Sequence, residues 1–132
     1  MKPLAVYVVG VGARAGASAA EVSALVDEAL AAARIPPHDV AHLATVDAKG
    51  AEAGIRTVAA DQGWRLVTWP AGRLAQVLVP TPSAMVGEVA GTASVAEAAA
   101  LLDATGRETG TLVVPKRTSP TVTVAIAEHR SG

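Results

Sequence analysis

The sequence predicts a single domain over residues 1–132, built as a three-layer α/β sandwich. Its sheet is mostly parallel and ends with an antiparallel C-terminal strand pair. Apolar, β-branched runs alternate with segments of helical periodicity along the chain. The first run is apolar at every position, as is typical of a central strand that is buried on both faces. The last two runs are joined by only six residues, a link that favours an antiparallel pair.

The first half of the chain alternates strand and helix. Residues 4–9 predict the central strand, which ends at Gly10, and residues 18–34 carry apolar side chains at helical spacing up to Pro36. Residues 40–46 predict a second strand. A second helix is expected over about residues 49–62, with Asp47 as its N-cap and Gly63 just past its end.

The second half is less regular. Residues 65–69 predict a third strand, and Pro70 opens a short helix. Residues 79–93 carry two prolines and two glycines and show no clear period. Residues 94–104 predict another helix, and residues 111–114 and 121–127 predict strands that are joined by a loop over residues 115–120.

One helix-start signature occurs twice. Ser18 and Ser94 each follow a glycine-bearing stretch, and each is followed three residues later by a glutamate, Glu21 or Glu97. This spacing is the capping box of a helix N-terminus. Helix N-termini carry unpaired N–H groups and the positive end of the helix dipole, so each can hold an anion. Most capping boxes only cap a helix and bind no ligand. The pattern therefore predicts two helices, and anion binding at their N-termini is an alternative that it leaves open.

Composition excludes several classes of protein. A net charge of −1 with one Tyr, two Trp and no Phe argues against a nucleic-acid partner. No apolar run reaches the ~18 residues of a membrane span, and the apolar start is better explained by a strand than by a secretory signal, so a cytoplasmic protein is expected. The chain has no cysteine. Of its three histidines (His38, His42 and His129), His38 and His42 have HxxxH spacing, but they straddle a predicted strand start and would not converge cleanly, so we expect loop or exposed histidines and neither a metal nor a cofactor.

The glycines near the N-terminus do not fit a dinucleotide fingerprint. Gly10, Gly12 and Gly16 have one residue too many between the second and third glycine, and no acid lies ~20 residues further on. The chain also contains neither a GxxxxGK[ST] phosphate loop nor a GxSxG nucleophile elbow.

Charged residues cluster where predicted strands end. Lys49 is placed to bind a carboxylate and Glu52 to act as a base, close to Asp47 at the carboxyl end of the second strand, where open α/β sheets bind ligands. Alternatively, Lys49 and Glu52 form an ordinary surface pair worth ~0.2–0.5 kcal/mol, which spacing alone favours. Arg14, Lys116 and Arg117 also fall at element ends, either as a solvated face or as a convergent cationic rim.

Several segments in one order resemble the CobE / CbiG C-terminal domain family of cobalamin biosynthesis. They are Val9-Gly10-Val11-Gly12 with Arg14 and Ser18, residues 43–49 with Glu52, residues 91–101, and Lys116 followed by residues 122–127. No segment is specific alone, but their order and spacing cover about 120 residues.

The resemblance implies a small α/β domain that acts on corrin precursors. In the longer family members this domain ends a protein that opens a ring-A lactone and releases acetaldehyde. The present sequence lacks the preceding segments and therefore resembles the stand-alone form. We expect a carrier or accessory factor that binds a polycarboxylated precorrin, with other cobalamin-pathway enzymes as further partners. The residues expected at the ligand are Gly10, Gly12, Arg14, Ser18, Asp47, Lys49, Ser94 and Lys116.

Two other functions stay open at this point. In the first, the domain is a hydrolase in which Glu52 or Glu97 activates water at a lactone carbonyl and a helix N-terminus holds the oxyanion. In the second, it is a protein-interaction domain without a small-molecule ligand. Product formation separates hydrolase from carrier, and tetrapyrrole binding separates both from an interaction domain.

Overall fold

The computed structural model describes residues 5–77 and 92–130, with residues 92–94 described by their backbone only. Within these residues one five-stranded sheet has the order β3-β2-β1-β5-β4. The elements are β1 (Ala5–Ala13), α1 (Ala19–Ala33), β2 (Val40–Val46), α2 (Ala53–Gln62), β3 (Arg65–Trp69), α3 (Ala71–Ala75), α4 (Thr92–Leu101), β4 (Gly110–Thr118) and β5 (Val122–Arg130), with single 3₁₀ turns at Pro37–Asp39 and Asp47–Lys49.

The sheet is mostly parallel, as predicted. β1, β2 and β3 run parallel, while β5 is antiparallel to both β1 and β4, so β4 points in the same direction as β1. β1 lies at the centre, as its uninterrupted apolar run predicts. Burial on both faces begins only at Val8, however, because Val6 is 37% exposed. The carboxyl ends of β1 and β2 and the β4–β5 turn therefore meet at one edge. We call this the carboxyl edge and define it by residues 14–18, 47–52 and 119–121.

Helices cover both faces of the sheet and complete the three layers. On one face, α1 and α2 bury residues such as Val22, Val26 and Ile55 against Val9 and Leu43. On the other face, α3 and α4 pack a separate cluster of mostly small side chains, which lies over β1 and β5. The small residues let α4 lie very close to the sheet: a Cβ added to Gly10 would stand 1.9 Å from the carbonyl oxygen of Ala96.

Two predicted loops are strand instead. β1 continues past Gly10 and Gly12 to Ala13, because β5 pairs with it as far as Val122 and α4 covers it. β4 likewise continues through the expected loop at residues 115–118, with an irregularity between Val114 and Arg117 that accommodates the extra residues. The β4–β5 link is therefore only residues 119–121.

Two helix starts, those of α2 and α4, differ from the predicted ones. Ser18 caps α1 as predicted, its Oγ accepting the Glu21 N–H at 3.1 Å, but the Glu21 carboxylate binds the β4–β5 turn. α2 begins at Ala53, because Asp47 starts a 3₁₀ turn and makes no cap hydrogen bond. α4 begins at Thr92, two residues before Ser94, so Ser94 is not its N-cap. The predicted irregular segment lies mostly outside the described residues.

The prediction of loop or exposed histidines is wrong for two of the three. His42 in β2 is 4% exposed and His129 in β5 is 5% exposed, whereas His38 in the Pro37–Asp39 turn lies at the surface. Both buried rings belong to strands whose other inward side chains pack under α4. Strand periodicity places them inside.

Candidate functional site

Hydrogen bonds between distant parts of the chain fix the three segments of the carboxyl edge. The Gly16 N–H donates to Glu52 Oε1 at 2.8 Å and joins the first segment to the second. The Arg14 N–H donates to the Thr121 carbonyl at 2.9 Å, and the Thr121 N–H donates to Glu21 Oε2 at 3.0 Å. These bonds join the first segment and the start of α1 to the β4–β5 turn. These hydrogen bonds hold the three segments of the carboxyl edge together, and we also call this edge the rim.

Three helices begin at this rim. α1 and α2 begin side by side, since a Cβ at Gly54 would lie 2.4 Å from the Ala17 carbonyl oxygen. α4 begins at the same edge on the opposite face of the sheet, because Ala96 lies over Gly10 while Ala100 bonds to His129, the partner of Val6 near the start of β1. The positive ends of these helix dipoles thus point towards the carboxyl edge from both faces.

Cationic side chains lie at or near the rim. Arg14 is exposed in the first segment, Lys49 is half-buried at the end of the Asp47–Lys49 turn, and Lys116 is half-buried near the end of β4. Within the part of the chain that the structure describes, all ion pairs involve other residues. The positive charges of these three residues are therefore available to an anionic ligand.

The structure separates the two predicted catalytic acids. Glu52 is half-buried at the carboxyl edge, with one carboxylate oxygen on the Gly16 N–H. Glu97 is fully buried between α4 and β4, where its Oε2 accepts the Lys116 N–H at 3.0 Å. Glu52 therefore lies where a ligand can reach it, while Glu97 has a structural contact inside the domain. Their catalytic roles remain predictions.

Some of the other predicted ligand residues are exposed at the carboxyl edge, and others are buried. Ser18 and Asp47 are exposed on the edge segments. Gly10 and Gly12 are buried in β1, and the close approach of α4 explains why residue 10 is a glycine without any ligand. Ser94 lies in the first turn of α4, and its side chain is outside the described part of the structure. That one cleft is lined by Arg14, Ser18, Asp47, Lys49, Ser94 and Lys116 thus remains a prediction.

Glu21 organises this edge in a way that sequence reasoning missed. Hydrogen bonds from the Ser119 hydroxyl and then from the Thr121 N–H lower the pKa of its carboxyl group. Its partners lie about a hundred residues further along the chain. The capping-box spacing is the one sequence signal at Glu21, and it predicts a partner at the start of α1 rather than in the β4–β5 turn.

Ser18→Ala is expected to lower the free energy of unfolding by about 1 kcal/mol, because the Glu21 N–H loses its acceptor. The matched control is Ser23→Ala in the body of α1, where alanine is the better helix former. Urea unfolding of both variants measures the difference. Equal stability of the two would show that the cap bond contributes nothing.

The described residues contain neither a group of three His, Asp or Glu side chains placed to hold a metal ion nor a helix long and apolar enough to cross a membrane.

Comparisons with known proteins converge on one family. Residues 7–127 match the family model described as cobalamin synthesis G C-terminus. The chain is 32% identical over 124 residues to a cobalt-precorrin-5A hydrolase of Priestia megaterium, covering 94% of this chain and 33% of that protein. The chain thus spans about a third of the length of this curated relative.

Solved structures of the same pathway share the fold. CobE, a protein of the cobalamin biosynthetic pathway, superposes with a TM-score of 0.80 at 26% identity, over 100% of this chain and 96% of that one. The cobalamin biosynthesis protein chiG of Agrobacterium tumefaciens str. C58 gives 0.68 at 35% identity, with 92% and 97% coverage. A putative cobalamin biosynthesis protein G homologue of Sulfolobus solfataricus gives 0.73 at 16% identity over 96% of this chain and 38% of that one, which shows the fold alone.

Proposed function

We propose, from the premise that this chain belongs to the cobalamin synthesis G C-terminus family, that it binds a polycarboxylated corrin precursor at the carboxyl edge. The observation that carries the proposal is the arrangement of Arg14 and Lys49, which make no ion pair with any described residue, beside the starts of α1 and α2. Precorrins carry acetate and propionate arms around an apolar ring. Several fixed positive groups at one rim suit such a ligand, because charge-assisted hydrogen bonds are about twice as strong as neutral ones.

The carrier or accessory role is preferred to catalysis because of the placement of the acids. Of the two glutamates considered as bases, Glu97 is fully buried, and Glu52 holds the Gly16 N–H. A general base needs a lone pair directed at the water that it activates. One carboxylate oxygen of Glu52 accepts the Gly16 N–H and so joins two segments of the rim. Because this oxygen is already occupied, the arrangement supports ligand binding more directly than lactone hydrolysis.

Lys49→Ala tests the binding site. We expect it to weaken binding by about 1–3 kcal/mol if the ammonium contacts a ligand carboxylate in a partly desolvated position. The measurement is an absorbance titration with hydrogenobyrinic acid, repeated at several salt concentrations because exposed charge pairs weaken as salt rises. The matched control is Arg34→Gln, which removes one positive charge at the other end of α1.

Two outcomes contradict the binding proposal. The first is a titration in which the parent protein at micromolar concentration gives no spectral change. The second is an equal loss of affinity in the Lys49 and Arg34 variants, which would indicate attraction to the whole protein rather than to the rim.

The hydrolase alternative is favoured by one finding, the name of the Priestia megaterium relative. If this domain opens the lactone, incubation with cobalt-precorrin-5A releases acetaldehyde, and Glu52→Gln abolishes the release while leaving ligand binding in place. Binding without product formation supports the carrier role and excludes the hydrolase. An interaction domain without a ligand would give neither signal.

A further inference from the structure

Two buried histidines lie on the α4 side of the sheet, towards its other edge. His129 on β5 pairs with Val6 near the start of β1, and His42 on β2 pairs with Val8. His129 Nε2 lies 2.8 Å from the carbonyl oxygen of Ala100, in the last turn of α4. A carbonyl oxygen can only accept, so Nε2 of His129 carries a proton.

The other ring nitrogen of His129 belongs to a chain of hydrogen bonds. Its Nδ1 lies 2.8 Å from the Thr109 hydroxyl, and the same hydroxyl lies 3.1 Å from Asp103 Oδ2. A threonine hydroxyl has one proton to donate. That proton is donated to Asp103 Oδ2, and the hydroxyl oxygen also contacts Nδ1, so Thr109 links the His129 ring to the Asp103 carboxylate.

The Asp103 carboxyl group is held as an anion. Desolvation raises its pKa, but hydrogen bonds from Thr105, Arg107 and Thr109 together lower the pKa to about 2. An ionised carboxylate is the stronger acceptor for the Thr109 hydroxyl. His129 is thus tied on one side to the last turn of α4 and on the other side, through Thr109, to the ionised Asp103.

His42 is in the opposite situation. Burial, the neighbouring His129 and then Arg65 lower the pKa of His42 to about 4, against a smaller opposing effect of Asp103. Among the described residues its Nε2 is one of three buried side-chain polar atoms without a hydrogen-bond partner. A proton added to His42 would therefore be buried, unpaired at that nitrogen, and close to His129 on β5 and Arg65 on β3. Among the described residues, Asp103 in the loop after α4 is the acid whose charge would favour that proton.

We propose that His129, Thr109 and Asp103 form an acid-sensitive clasp, in which the hydrogen bonds of His129 hold the end of α4 and residues 102–109 on the sheet, and in which protonation of neighbouring His42 opens it. The inference is independent of the ligand proposed above, because it uses no residue of the carboxyl edge. Opening frees the C-terminal end of α4, the helix that begins at that edge.

The first test reads protons directly. Side-chain ¹⁵N NMR of the full chain at pH 7 is expected to show a proton on Nε2 of His129 and a single ring proton on His42. Thr109→Val removes the hydroxyl at nearly constant volume, and the amides of residues 102–109 are expected to lose protection from hydrogen exchange at pH 7, because the link from His129 to Asp103 is gone. An unprotonated Nε2 of His129 in the parent protein, or unchanged protection of residues 102–109 in Thr109→Val, overturns the proposal.

The second test follows acid stability. His42 binds its proton more weakly in the folded than in the unfolded state, so stability falls as pH drops from about 6.5 towards about 4. Its contribution to the folding equilibrium constant is expected to fall roughly 100-fold over that range. His42→Leu is expected to abolish the loss of stability that His42 causes on acidification. The control His38→Gln, which changes a surface histidine, is expected to lose as much stability on acidification as the parent protein.

Amide hydrogen exchange locates the opening. On acidification, protection factors at residues 100–109 are expected to fall before those of α1 in the parent protein and together with them in His42→Leu. If His42→Leu loses as much acid stability as the parent, or if all protection falls together in the parent, the clasp does not exist. The same readouts work when no corrin ligand binds, so failure here is distinct from failure of the proposed function.

Discussion

Gly10→Ala is expected to lower the free energy of unfolding by more than about 3 kcal/mol, the upper range for overpacking a core. The added Cβ would lie 1.9 Å from the Ala96 carbonyl oxygen and 2.8 Å from the Ala100 nitrogen. Both are backbone atoms, so no change of side-chain rotamer relieves the contact. Helix α4 must move off β1, and with it the cluster of small residues that it buries.

Gly72→Ala is the matched control for this prediction. Gly72 lies in α3, and a Cβ there would meet nothing within 4 Å. Alanine is a better helix former than glycine by roughly 0.5–1 kcal/mol, so this variant is expected to be at least as stable as the parent. Urea unfolding followed by circular dichroism measures both. A Gly10→Ala protein as stable as the parent would show that α4 does not pack on β1 at this distance.

Local sequence patterns were enough to predict the architecture. The unbroken apolar run at the start predicts the central strand, although the structure buries both faces only from Val8 onward and leaves Val6 exposed. The helical spacing of Val22, Val26 and Leu30 predicts α1, and Gly63 with φ +74° ends α2 where a left-handed residue is needed. Each of these signals acts within a few residues of the element that it specifies.

The errors have a common cause in contacts between distant parts of the chain. Gly10 and Gly12 suggest a loop, but α4, some ninety residues later in the sequence, requires the small residue at position 10. Residues 115–118 suggest a turn, yet β4 continues through them because the Lys116 N–H is bound by Glu97 rather than left unpaired. Composition and spacing carry no information about such partners.

The candidate site, too, could be predicted from the sequence only in part. Strand order places the connections after β1 and β2 at one edge, so the neighbourhood of Arg14, Lys49 and Glu52 follows from topology and could be predicted. By contrast, the hydrogen bond from the β4–β5 turn to Glu21 and the burial of His42 depend on packing between distant segments. Local periodicity does not reveal which polar side chains face inward or what they meet there.

Glu97→Ala is expected to lower the free energy of unfolding by about 3 kcal/mol. The side chain is fully buried, and its Oε2 accepts the Lys116 N–H within the irregular stretch of β4 between Val114 and Arg117. Losing the acceptor strands a backbone donor at a cost of ~1–3 kcal/mol, and the vacated volume adds a cavity cost. Urea unfolding measures the loss, with Glu108→Ala, an exposed residue of the α4–β4 loop, as the matched control.

Glu97→Gln separates the structural role from the catalytic one. The amide keeps an oxygen that can accept the Lys116 N–H, so the variant is expected to unfold at a higher urea concentration than Glu97→Ala. It cannot act as a general base, because a neutral amide takes up no proton at neutral pH. If Glu97 serves the fold, Glu97→Gln keeps whatever tetrapyrrole binding or hydrolysis the parent shows. Full stability together with complete loss of lactone opening would instead make Glu97 the base and contradict the structural assignment.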